Sequence, residues 1–113
     1  MKKFPNYKQA DSKDCGPTCL KIIAKYYGKT IKIQELRDFS ETTREGSNLL
    51  FLSDGAEKIG FRTLGVKLNL KSLEEVSLTC ILHWNKEHYV VLYNIKKEKY
   101  FISDPAFGLI DYN

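Results

Sequence analysis

The sequence predicts an α+β domain in which N-terminal helices pack on a C-terminal antiparallel sheet. Two observations carry this. The first half holds apolar residues at helical spacing, bounded by capping residues and glycines. The last third holds β-branched and aromatic runs, CILHW, HYVVLYNI and KYFISD, separated only by NKE and KKE. Helices come first and strands last, so nothing suggests a βαβ repeat. With 113 residues the chain supports one core, and residues 1–113 are read as a single domain.

The first helix is predicted over residues 14–27. Leu20, Ile23, Ala24 and Tyr27 recur at i, i+3, i+4 and i+7, with Gly28 as the C′ residue and Asp14 or a neighbour as the cap. Pro17 falls in the first turn, where its missing N–H has no intrahelical partner to lose. Cys15 therefore stands at the helix tip. A second helix is predicted over Ile33–Phe39, with Leu36 and Phe39 inward. A third follows Ser47 and stops at Gly60, burying Leu49, Leu52, Ala56 and Ile59. FRTLGVKLN (residues 61–69) changes period and is predicted as a strand, followed by a helical turn over Leu70–Val76.

Composition narrows the function classes. No apolar run approaches the roughly 18 residues that a spanning helix needs, and the lysines near the N-terminus precede no apolar signal segment. The chain is thus expected to be soluble and kept in the cytosol. The net charge of +4 comes from scattered lysines, without the aromatic-interleaved basic patch that nucleic acid requires. Cys15, Cys19 and Cys80 are an odd set of three, which argues against a disulfide framework. A metal or redox site is also poorly supported. C-x₃-C lacks a second ligand pair for zinc and lacks the C-x-x-C spacing of a thioredoxin motif. Cys19 and Cys80 are read as small buried hydrophobes.

Cys15 has the surroundings of a nucleophile. A helix N-terminus favours a thiolate, and Gly16 leaves the adjacent backbone uncrowded for a substrate carbonyl. A base must come from the two histidines. His88 opens a strand beside a polar turn, where its ring can reach a cleft, whereas His83 lies mid-strand and is assigned a supporting role. If HYVVLYNI and KYFISD form a hairpin turning near Lys96 and Lys97, paired numbers sum to about 193. The partner of His88 then falls at or beside Asp104, a carboxylate able to orient the ring. Asp104 standing alone would more simply cap a turn. Gln9, six residues before Cys15, is near enough to offer a second oxyanion donor beside the Cys15 N–H, although a surface glutamine is the plainer explanation.

QADSKDCGPTC, then HYVVL, then DPAFG resemble the peptidase domain at the N-terminus of bacteriocin-exporting ABC transporters. The resemblance extends through EGSNLLFLSDGAEKIGFRTLGVK and CILHWNKEHYVVLY. It implies a papain-like cysteine peptidase that removes leader peptides after a double-glycine motif. It further implies Cys15 as nucleophile, His88 as base, Asp104 as orienting acid and Gln9 as oxyanion donor, without a cofactor. Trp84 and neighbours would wall a narrow slot for the two small residues before the cut. The implied partners are a precursor peptide and fused transmembrane and ATP-binding domains, at the cytoplasmic face of a bacterial membrane. The isolated domain is expected to be monomeric. Thr79 and Glu87 depart from the family pattern, where proline and asparagine are common. Non-cleaving relatives usually lack the cysteine that this chain keeps. The alternative is a cargo-docking module that does not cut.

Overall fold

A computed structural model describes residues 4–9, 14–39, 49–63, 78–84 and 88–112, apart from the side chains of Phe39, Leu49, Phe51 and Trp84. Among these residues three helices, α1 (Cys15–Tyr26), α2 (Ile33–Phe39) and α3 (Leu49–Lys58), precede four strands. These are β1 (Cys80–Trp84), β2 (His88–Lys96), β3 (Lys99–Asp104) and β4 (Gly108–Tyr112), joined in the antiparallel order β1-β2-β3-β4. The predicted α+β class and the boundaries of α2, β1 and β3 agree with this arrangement. The expected cap Ser47 and the predicted turn at Leu70–Val76 lie outside the described residues, as does most of the predicted strand at 61–69. Phe61–Thr63, where that strand should start, belongs to no strand.

Helix α1 is buried more completely than its predicted stripe. Cys15 through Leu20, Ile22 and Ala24 are all buried, whereas Ile23 is half-buried and Tyr27 is 52% exposed. The reason is that α1 packs against β2 on one side and against α2 and α3 on others, so one apolar stripe does not suffice. Cys15, Cys19 and Ile22, at i, i+4 and i+7, supply a further buried face. Both α1 and α3 end as the glycines predict. Gly28 and Gly60 take positive φ, and the N–H groups of Gly28 and Lys29 reach the carbonyls of Lys25 and Ala24. Gly60 and Phe61 repeat the pattern on Glu57 and Ala56, which is the Schellman arrangement.

The sheet separates two apolar clusters. Tyr89 and Val91 of β2 join Cys15, Cys19, Leu20, Leu36, Leu52 and Ala56 in the main core. Val90 and Leu92 join Ile102 on the other face, with Cys80, Leu82, Ile95 and Tyr100 partly buried beside them. Successive residues of β2 thus face opposite sides of the sheet. Cys80 is only half-buried, so of the two cysteines assigned to the interior Cys19 alone is enclosed.

The β2–β3 turn is Lys97–Glu98, one residue later than predicted. Both residues take positive φ, 51° and 66°, as a two-residue hairpin loop of matching twist requires. The pairing Lys96↔Lys99 through Asn94↔Phe101 sums to 195, and Leu92↔Ile102 and Val91↔Ser103 sum to 194. Tyr93 is the extra residue, a β-bulge. Strand β4 is absent from the sequence reading. Its signal is DPAFG, in which the three-residue loop Pro105–Phe107 is followed by Gly108 at φ +92°, paired with Asp104.

Candidate active site

Three segments meet at one end of the sheet. Helix α1 brings Cys15, β2 starts with His88, and β3 ends with Asp104. Cys15 is buried, and the backbone of Tyr89, next to His88, hydrogen-bonds its sulfur, as do the backbone groups of Gly16 and of Cys15 itself. These bonds favour the thiolate, and so act as the helix tip was expected to act. Burial is nevertheless the largest influence and outweighs them, and the Asp104 charge works in the same direction as burial. The Cys15 thiol therefore lies above its ordinary range. The expected lowering by the helix terminus is thus more than cancelled by desolvation.

His88 Nε2 lies 2.7 Å from Asp104 Oδ1, with the His88 side chain 22% exposed and that of Asp104 5%. The same Oδ1 accepts the Ala106 N–H at 2.8 Å and the Phe107 N–H at 3.4 Å. Asp104 therefore caps a turn and holds a histidine at once. The turn donors fix the oxygen independently of the ring, and that oxygen in turn fixes the ring. With Nε2 committed to Asp104, Nδ1 is the ring nitrogen left for a proton from elsewhere.

The N-terminal segment is tied to the same corner. Asn6 Nδ2 donates to Ser103 Oγ at 3.0 Å and to the Asp104 carbonyl at 3.1 Å. Ser103 Oγ donates to the Pro5 carbonyl at 2.8 Å. The Gln9 N–H donates to the Pro105 carbonyl at 2.9 Å. Gln9 thus sits beside the end of β3, one residue from Asp104. Sequence reasoning missed Asn6 and Ser103, since a tether between residues nearly a hundred positions apart leaves no local pattern.

The remaining candidates are distributed as follows. Gly16 is buried in the first turn of α1. Trp84 pairs with His88 across β1 and β2, while its side chain lies outside the described residues, as does Glu87. His83 is exposed and stacks on the Tyr89 ring, centroids 4.6 Å apart and planes 12° from parallel. Among the described residues, no group of three His, Cys, Asp or Glu side chains is placed to hold a metal ion. No described helix is long and apolar enough to cross a membrane.

The family model described as the Peptidase C39 family matches residues 3–113. The colicin V secretion/processing ATP-binding protein of Escherichia coli is 33% identical over 109 residues, covering 96% of this chain and 16% of that protein. The lactococcin-G-processing and transport ATP-binding protein of Lactococcus lactis subsp. lactis is 38% identical over 108 residues, covering 90% of this chain and 15% of that protein. The chain thus spans a small fraction of the length of these curated relatives. Among solved structures, a double glycine motif protease from an AMS/PCAT transporter, in complex with the leader peptide, superposes with a TM-score of 0.92. It is 31% identical and covers 97% of this chain and 79% of that one. The peptidase domain of Streptococcus ComA, a bi-functional ABC transporter involved in a quorum sensing pathway, gives a TM-score of 0.85 at 26% identity, covering 98% and 87%.

Proposed function

Because this chain belongs to the Peptidase C39 family, we propose that it is a cysteine endopeptidase. It cleaves the leader from a bacteriocin-like precursor after a double-glycine motif. The observation that carries this reading is the His88 Nε2–Asp104 Oδ1 contact of 2.7 Å, at the sheet end where Cys15 is held against the Tyr89 backbone.

Burial holds the Cys15 thiol above its ordinary range, so attack calls for a base to take its proton. His88 Nδ1 takes the Sγ proton, and Sγ attacks the carbonyl carbon of the second small residue. Asp104 accepts the Nε2–H and steadies the imidazolium. The oxyanion takes hydrogen bonds from the Cys15 N–H and the Gln9 side-chain amide. His88 then protonates the leaving amine, and the peptide bond breaks to leave a thioester. Water, deprotonated by His88, attacks the thioester; the C–S bond breaks, His88 returns the proton to Sγ, and the leader leaves with a free carboxylate. This residue set completes the reaction without a metal or cofactor.

We assign the choice of small residues before the cut to Gly16 and Trp84, where a closed wall would reject larger side chains by clash. The relatives' names, which join processing to transport, support a place for this domain in a larger transporter. We assign its action to the cytoplasmic face of the membrane, on precursors before export. The test uses a precursor peptide whose leader ends in two glycines. The wild-type domain releases leader and product, whereas Cys15→Ala binds the peptide without cutting it. Processing by Cys15→Ala at the wild-type rate would refute the catalytic assignment. Binding without cleavage by the wild-type domain would favour a cargo-docking module.

A further inference from the structure

Asp14 occupies the position from which an acidic residue ordinarily caps a helix, yet its side chain makes no cap hydrogen bond. Its carbonyl starts the helix by accepting the Thr18 N–H at 2.9 Å. Its carboxylate, on a residue only 3% exposed, is held instead by Arg37 of α2. Arg37 Nε donates to Oδ1 at 2.8 Å and Nη2 donates to Oδ2. The guanidinium thus grips both carboxylate oxygens as a fork. Gln34, one turn earlier in α2, braces it by accepting from Nη1 at 3.2 Å.

The donors that Asp14 forgoes are few. A capping side chain bonds the N–H of the second or third helical residue. The second here is Gly16, and the third is Pro17, which has none. An Asp14 carboxylate returned to its cap would therefore take the Gly16 N–H, which now bonds the Cys15 sulfur. It would also bring a negative charge to the place where the thiolate and the oxyanion develop.

We propose that Arg37 is a positioning residue of the peptidase site. By holding the Asp14 carboxylate away from the tip of α1, it reserves the first N–H groups of that helix for the Cys15 sulfur. This rests on the reading of Cys15 as the nucleophile. The other ionisable groups that act on Cys15 or adjoin it are Cys19, Tyr89 and Asp104, with His88 bonded to Asp104. Glu35 and Asp38 of α2 and Lys8 of the N-terminal segment are exposed. None of these is altered by the substitutions below.

The test compares Arg37→Gln, Arg37→Lys and the double variant Arg37→Gln/Asp14→Asn with wild type. Two readouts are followed: cleavage kinetics, and iodoacetamide labelling of Cys15 against pH, followed by peptide mass spectrometry. In Arg37→Gln the labelling midpoint rises by about one pH unit, as a like charge beside a titrating group requires. Its kcat falls by about tenfold or more while KM stays within about twofold. The double variant removes the charge from the carboxylate and returns the midpoint to the wild-type value. Arg37→Lys, which keeps the charge and loses the fork, falls between, and serves as the test if Arg37→Gln does not fold. An unchanged midpoint in Arg37→Gln, or in Arg37→Lys if that variant is used, would overturn the proposal. So would a double variant no better than Arg37→Gln, since Arg37 would then serve only the fold. Labelling reads Cys15 without turnover, so loss of the catalytic assignment and loss of this proposal are separable.

Discussion

His88 and Asp104 meet across the sheet without being register partners. Continuing the sum of 194 set by Val91↔Ser103, Asp104 at the end of β3 falls opposite Val90, two residues from His88 and on the same face. The 2.7 Å contact is therefore a diagonal one. It depends on the Tyr93 bulge. With the sum of 195 found nearer the turn, Asp104 would oppose Val91 and point away from His88.

Deleting Tyr93 reverses that parity. Cleavage should fall as far as in His88→Ala, because the carboxylate leaves the histidine's face. Tyr93→Ala keeps the extra residue and loses the stack on Phe4, centroids 4.1 Å apart, and the tilted contact with Phe101 at 6.3 Å. It should cost about 0.5–1.5 kcal/mol of stability and leave cleavage nearly intact. Steady-state kinetics beside urea titrations separate the two, and full activity after the deletion would refute the parity argument.

His88→Ala should lower kcat by about 10²–10⁴-fold with the fold retained. At Asp104 a conservative change and a truncation should differ. Asn keeps an oxygen that accepts the Ala106 N–H and the ring N–H together, so Asp104→Asn should stay within about tenfold of wild type. Asp104→Ala loses both and should cost about 10²-fold or more through misorientation. Equal kcat values for the two variants would sink this account.

Asn6→Ala removes both bonds that tie the N-terminal segment to Ser103 and Asp104. The expected loss is about 1–2 kcal/mol of stability, with kcat lowered because Gln9 is no longer held beside Pro105. Urea midpoints and cleavage rates should fall together. A stable but inactive variant would give Asn6 a more direct role than that of a tether.

Alkaline pH should destabilise the domain. Burial raises Cys15 and Cys19, and pushes Cys80 from an ordinary 9.0 to about 11. Above about pH 9 the unfolded chain therefore binds fewer protons than the native one, and stability falls as pH rises. The Cys80 share of that decline runs from about 9 until the folded thiol titrates near 11. Urea midpoints measured across this range should drop, less steeply in Cys80→Ala. Stability that rose across this range would contradict the buried-thiol account.

What the sequence determined was local or periodic. Glycine stop signals at Gly28 and Gly60, the helical spacing of Leu52, Ala56 and Ile59, and the alternation of His88 to Tyr93 follow from backbone chemistry within a few residues. Together with the QADSKDCGPTC, HYVVL and DPAFG motifs, they sufficed for the fold class and the four main candidate residues. Tertiary structure decided what depends on distant packing. It buried α1 on several sides, raising the Cys15 thiol that its helix tip alone would lower. It inserted the Tyr93 bulge that brings Asp104 to the face of His88, and it drew Asp14 from its cap to Arg37. Each of these outcomes rests on a neighbour from another element, and desolvation, register parity and long-range ion pairing are set only when those elements meet.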